Sequence, residues 1–253
     1  MKKKLQIAIF DMTDCEGCEL TFINLREKLA RIAEQADFAN WRLASDDGNA
    51  GPFDITFIEG TPITENDIVA LKQARKASRI IVSLGSCADL GGVQGMTGAS
   101  GWKQGVPLVY GGKYRTASKA PRPLSYYIDI DFRLPGCPVS PTELERFLGA
   151  FMVNKRPDEK RYPVCLECKA KENTCLLLEG EPCLGPVTKG GCEAACPSRG
   201  LRCWGCFGAL RGGNQKALKT MLDAKYGRER TEQVFGAFMT HQDEYRGMYP
   251  NEK

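Results

Sequence analysis

The chain has 253 residues, room for one large domain or two smaller ones, and its 42% hydrophobic content is enough to build a buried core. Its 35 basic and 31 acidic residues nearly balance, which argues against nucleic acid as the main partner. No apolar run approaches the roughly 20 residues that cross a bilayer, and Met1-Lys2-Lys3-Lys4 leads only into a short apolar run broken by Asp11, not a signal peptide or twin-arginine signal, so the expected location is the cytoplasm.

Leu5–Phe10 reads as a buried strand. Two cysteines, Cys15 and Cys18, follow it in the string DCEGCE, and a helical apolar spacing runs over Glu19–Gln35. Asp37–Leu43 is a weaker strand, and Asp54–Ile58 a stronger one ending at Glu59-Gly60. Thr64 is placed to cap a helix running to Ala77, with Ile68, Leu71 and Ala74 on one face. Arg79–Leu84 is a further strand, ending at Gly85-Ser86-Cys87. Asp129–Leu134 reads as the last strand, ending at Pro135-Gly136-Cys137-Pro138, and a helix over Pro141–Val153 follows. This βαβ rhythm predicts a doubly wound parallel sheet similar to flavodoxin.

Between Leu90 and Ile128 there is no acidic residue, while eight glycines and five basic residues (Lys103, Lys113, Arg115, Lys119, Arg122) are present. A connection of this length is read as a long loop and as a docking surface for a partner subunit, against the plainer reading of a solvated loop. After Arg156-Pro157 the composition shifts: eight cysteines fall within the 42 residues from Cys165 to Cys206, with few large apolar residues among them. Such a segment needs metal to fold. Two helical patterns, Asn214–Lys225 and Arg228–Met239, precede a polar end.

Twelve cysteines are too many for packing, and a reducing cytosol disfavours six disulfides. With His241 the sole histidine, all-cysteine sites for zinc or iron–sulfur clusters are indicated. In an open α/β sheet, ligands bind beyond the carboxyl ends of the strands. Cys15, Cys18, Cys87 and Cys137 all fall there, so four thiolates converge on one crevice. A thioredoxin-like switch at Cys15 and Cys18 would leave Cys87 and Cys137 unexplained. The other eight divide in chain order, as Cys165, Cys168, Cys175, Cys183 and then Cys192, Cys196, Cys203, Cys206. They can also cross, as in two-cluster ferredoxins.

At these residues the chain resembles the small subunit of [NiFe] hydrogenases, of the cytoplasmic sulfhydrogenase and F420- or methyl-viologen-linked type. DCEGCE, IEG (58–60), GSCADLGG (85–92) and PGCPVSP (135–141) resemble the elements around the proximal cluster. CLLLEGEPCLGPVTKGGC and CWGCFG resemble those around the other two. The resemblance implies three [4Fe–4S] clusters in chain order: proximal on Cys15, Cys18, Cys87 and Cys137; distal on Cys165, Cys168, Cys175 and Cys183; medial on Cys192, Cys196, Cys203 and Cys206. Cys165 stands where many exported relatives have a histidine, and four medial cysteines are available where some relatives have three. The four medial cysteines imply a [4Fe–4S] cluster there, and the all-cysteine set and the lack of an export signal both point to the cytoplasmic branch.

The resemblance further implies that hydrogen is split at a Ni–Fe centre on a separate large subunit. This chain then relays electrons from that centre towards an iron–sulfur or flavin-containing electron-transfer subunit, and carries no catalytic residue itself. The domains expected are 1–156, flavodoxin-like with the proximal cluster, and 157–253, an iron–sulfur domain of little regular structure and short helices. Glu59 is a candidate proton-path or interface residue, against a plain surface carboxylate. Glu19 suits a helix start. Trp204 is expected to pack against a cluster and shield it from water, and His241 to be an ordinary surface residue. The competing readings are a quinone-directed subunit similar to the 20 kDa member of complex I, which should lack the eight-cysteine segment, a zinc-stapled interaction module, and an FMN protein, which Thr13 alone supports weakly.

Overall fold

The structure is a computed structural model that describes residues 4–46, 48–96 and 98–242. The charged start, Met1–Lys3, and the polar end beyond residue 242 lie outside the described residues. Two compact units are present: residues 4–92 with 115–149, and the described part of 93–114 with 150–242.

The first unit is built on a five-stranded parallel sheet: β1 (Leu5–Asp11), β2 (Ala36–Trp41), β3 (Phe53–Glu59), β4 (Ser78–Leu84) and β5 (Phe132–Leu134). The strand order 2-1-3-4-5 is that of flavodoxin-like folds, as the βαβ rhythm predicted. Side chains alternate across the sheet, so neighbours on β3 face opposite layers. On one face Phe57 meets Phe22 and Phe147 at ring-centroid distances of 5.0 and 5.8 Å. These rings come from α1 (Gly17–Ile23) and α6 (Pro141–Met152). On the other face Ile58 and Ile81 pack with Leu71 and Ala74 of α3 (Glu65–Ala77). The Thr64 cap is present as a full capping box: the Thr64 hydroxyl accepts from the Asp67 amide at 3.1 Å, and the Asp67 carboxylate accepts from the Thr64 amide at 2.9 Å.

Three expectations are corrected. The helical spacing over Glu19–Gln35 is two helices, α1 and α2 (Glu27–Gln35), because Leu25 turns into the core and Arg26 takes a positive φ of 51°. The last strand shrinks to three residues, β5. The acid-free stretch is not one long loop: after α4 (Gly85–Leu90) comes a 13-residue helix, α5 (Gly98–Tyr110), which tolerates Pro107 within it.

In the second unit, α7 (Val164–Ala170) is the only α-helix of the cysteine-rich segment among the described residues. The apolar residues this segment lacks are supplied from beyond it. Leu184 and Val187 pack with Leu218 and Leu222 of α8 (Gln215–Tyr226), with Val234 and Phe235 of α9 (Arg228–Gly236), and with Met239. Asn214 caps α8 by accepting from the Ala217 amide at 3.0 Å.

Candidate metal centres

All four cysteines of the first unit lie at the carboxyl end of the sheet. Cys15 and Cys18 follow β1, Cys87 sits on α4 directly after β4, and Cys137 follows β5. Gly85 takes a φ of +79°, and a Cβ there would collide with Cys18 Sγ, so only glycine lets the β4–α4 turn pass the sulfur. The Ser86 amide donates to the Gly136 carbonyl at 2.8 Å, and the Gly136 amide to the Ser86 hydroxyl at 3.2 Å. Cys87 and Cys137 are thereby held on two loops fastened to each other. The Val139 amide donates to Cys18 Sγ at 3.4 Å. Cys18 is buried and Cys87 half-buried, while Cys15 and Cys137 are exposed.

Glu59 closes this site from beneath. Only 1% of it is exposed, which removes the surface reading. Its carboxylate accepts from the Cys18 amide at 3.0 Å and the Glu19 amide at 2.8 Å, holding two otherwise orphaned donors in the first turn of α1. Glu19 does stand in that first turn, and it also accepts from Trp41 Nε1 at 2.7 Å. Burial raises the Glu19 carboxyl to about 7. Burial, and then the Glu59 charge, push the Cys18 thiol far up.

In the second unit, burial and then the neighbouring Cys183, Cys168 and Cys175 push the Cys165 thiol up to about 11. Gly185 lies in the same hollow: a Cβ there would sit 3.1 Å from Cys165 Sγ and 3.6 Å from Cys183 Sγ. Cys192 interacts with Cys196, and Cys203 with Cys206 and Cys183. Burial is the main cause of the upward shifts at Cys183, Cys192 and Cys203. Backbone amides donate to these sulfurs: Cys203 and Gly185 to Cys183, Ala194 and Ala195 to Cys192, and Gly205 to Cys203.

The residue types fit clustered iron–sulfur chemistry. Sulfur is the donor throughout, amides aim at sulfur, and glycines clear the space beside it. Bare, these thiols are buried neutral; on taking up metal they would lose their protons, and the cation or cluster would offset the cost of the buried thiolates.

Two residues escaped the sequence reading. Glu167, inside the string CLEC, accepts from the Gly191 amide at 2.6 Å and the Ala194 amide at 3.1 Å. It steadies a turn in which Glu193 and Ala194 both take left-handed φ values, 55° and 50°. A glutamate placed between a first and second cysteine was the available signal. The second is Arg202, whose guanidinium lies 3.9 Å from the Trp204 ring centre. Trp204 itself is 39% exposed, with Arg202 over one face of its ring. His241 is half-buried, near the end of the described chain.

A family model described as NADH ubiquinone oxidoreductase, 20 Kd subunit, matches residues 15–151. Sulfhydrogenase 2 subunit delta of Pyrococcus furiosus is 40% identical over 220 residues, covering 86% of this chain and 92% of that one. The chain belongs to this family, as one of its hydrogenase small subunits. A contiguous match of that extent takes in Cys165–Cys206, which the 20 Kd subunit model leaves outside. The F420-non-reducing hydrogenase iron-sulfur subunit of Archaeoglobus profundus is 25% identical, covering 81% of this hydrogenase subunit and 83% of its own length. Among solved structures, a chain of an NAD+-reducing [NiFe]-hydrogenase in the H2-reduced state matches with a TM-score of 0.52 at 26% identity, covering 62% of this chain and 95% of that one. A chain of the Ni-Fe-Se hydrogenase from Desulfomicrobium baculatum shares the fold, with a TM-score of 0.52 over 85% of this subunit and 98% of its own chain. No helix among the described residues is long and apolar enough to cross a membrane.

Proposed function

We propose that this hydrogenase subunit relays electrons between the Ni–Fe centre of a large subunit and an iron–sulfur or flavin-containing acceptor subunit, through three [4Fe–4S] clusters. The observation that carries this reading is the placement of the twelve free cysteines: four at one sheet end and eight in one segment, with amides directed at their sulfurs. When bound, such clusters supply one-electron carriers whose potentials follow charge, burial and hydrogen bonds to sulfur.

The chain's own residues hold, bury and tune. Cys15, Cys18, Cys87 and Cys137 would hold the proximal cluster. Cys165, Cys168, Cys175 and Cys183 would hold the distal one, and the approach of Gly185 to both the Cys165 and Cys183 sulfurs supports this chain-order set. Cys192, Cys196, Cys203 and Cys206 would hold the medial one. Glu59 fixes the turn that carries Cys18, and Glu167 the turn between Cys192 and Cys196. The exposure of Cys15 and Cys137 suits a site completed by the large subunit. The reducing cytoplasm, where free thiols persist, is the compartment we propose.

The complex I-like reading is the alternative, and the eight cysteines beyond the family model count against it. Anaerobic purification of the native complex, followed by counting its iron and the spectroscopically distinct clusters, tests the proposal. One four-iron cluster per chain would favour the alternative.

A further inference from the structure

Arg202 is a buried cation with an unpaired N–H. Only 9% of the residue is exposed, and its Nη1 is buried with no hydrogen-bond partner among the described residues. One face of the guanidinium is spent on the Trp204 ring at 3.9 Å. The chain around it is pinned against the cysteine hollow. The next residue, Cys203, donates its amide to Cys183 Sγ at 3.2 Å, and its carbonyl accepts from the Leu184 amide at 3.1 Å. The charges that reach the guanidinium are Arg230, which repels it, and Glu181 and Cys183, which attract it. Burial is the largest influence on Arg202 and disfavours its charged form. Arginine nevertheless keeps its charge in proteins, so a buried guanidinium with an idle N–H requires an anion nearby.

Resting on the iron–sulfur reading above, we propose that Arg202 sets the reduction potential of the cluster that holds Cys183. Four thiolates on a four-iron core carry net negative charge, and reduction adds one more electron to it. A fixed cation beside Cys183 favours the reduced state over the oxidised one and so raises the potential. The Trp204 ring holds the guanidinium in place by a cation–π contact that leaves Nη1 without a hydrogen-bond partner. Arg202 is thus a positioning and tuning residue; it ligates nothing.

The test uses the whole hydrogenase complex carrying Arg202→Gln or Arg202→Lys, with each cluster's midpoint potential followed by EPR in a redox titration. Arg202→Gln is expected to disfavour reduction of one cluster of the 165–206 segment about tenfold, which is about 59 mV downward for a one-electron couple. Arg202→Lys is expected to keep most of the wild-type value, and the proximal cluster to serve as an unshifted control. Unchanged potentials in a fully loaded Arg202→Gln complex would overturn the proposal. So would equal shifts in both variants, or loss of the cluster in both, since either outcome would make the role one of packing. Should Arg202→Gln alone lose the cluster, a loaded Arg202→Lys complex with the wild-type potential supports the proposal. Absence of iron–sulfur signals in the wild-type complex would instead sink the iron–sulfur reading itself.

Discussion

The amide of Cys203 donates to the sulfur of Cys183 at 3.2 Å, a hydrogen bond that joins the two four-cysteine sets of the second unit. On the chain-order allocation these residues ligate different clusters, so the bond ties one ligand's backbone to the other's thiolate. Such a bond lowers the electron density on Cys183 sulfur, and it fixes how the two sets approach each other. A serine at Cys183 would change the acceptor of this bond, whereas a serine at Cys203 would keep the donating amide.

Iron content follows from the cysteine count. Three four-iron clusters give about twelve irons per chain in anaerobically purified complex, with only trace zinc. Elemental analysis checks this, and about four irons or substantial zinc would contradict it.

Cys137→Ser should remove the proximal cluster while the second unit keeps its own. The large subunit should retain nickel, and hydrogen uptake with an artificial acceptor should collapse. Nickel analysis and EPR on the same sample separate these effects; wild-type uptake would take Cys137 off the ligand set.

Glu59→Gln places an amide NH2 against one of two amide donors, those of Cys18 and Glu19, within a buried site. Leaving one buried donor unpaired costs about 1–3 kcal/mol. The thermal midpoint of the loaded complex should fall, and the proximal signal should weaken, while the signals from the second unit persist. Glu167→Ala should reverse that pattern, because it frees the Gly191 and Ala194 amides beside Cys192. Thr64→Ala is the control: it should cost about 1 kcal/mol through the lost cap and leave every cluster in place.

Much of this was legible because local chemistry and the fold agree. The Thr64 cap, the β1 and β4 runs and the cysteines at strand ends are all written in consecutive residues. The break at Arg26 was not, since a non-glycine residue with positive φ is dictated by Leu25 turning inward, a tertiary demand. α5 was hidden by its glycines and by Pro107, which lower helix propensity without forbidding the helix. Glu59 was singled out in sequence without its hydrogen-bonding task, and Glu167 looked like any other carboxylate. Their task, gathering amides from turns 40 and 24 residues away in the chain, is visible only once the loops close.

The acid-free stretch, 90–128, yields the last prediction. It begins where α4 ends, three residues after Cys87, and returns to the sheet just ahead of Cys137. The helix found in it ends in Leu108, Val109 and Tyr110, all strongly exposed, with Leu108 at 86%. Three successive apolar side chains point in different directions around a helix, so no single face of α5 can bury them, and exposed clusters of this kind mark interaction sites. The large subunit is the partner the proposed function supplies, and the basic residues Lys113 and Arg115 follow directly. Hydrogen exchange across 98–115 should slow when the large subunit binds. Leu108→Glu, or Lys113→Glu with Arg115→Glu, should weaken assembly severalfold while each cluster keeps its signal. Exchange that stays the same on binding would show that α5 lies away from the interface, and that its apolar end serves another contact.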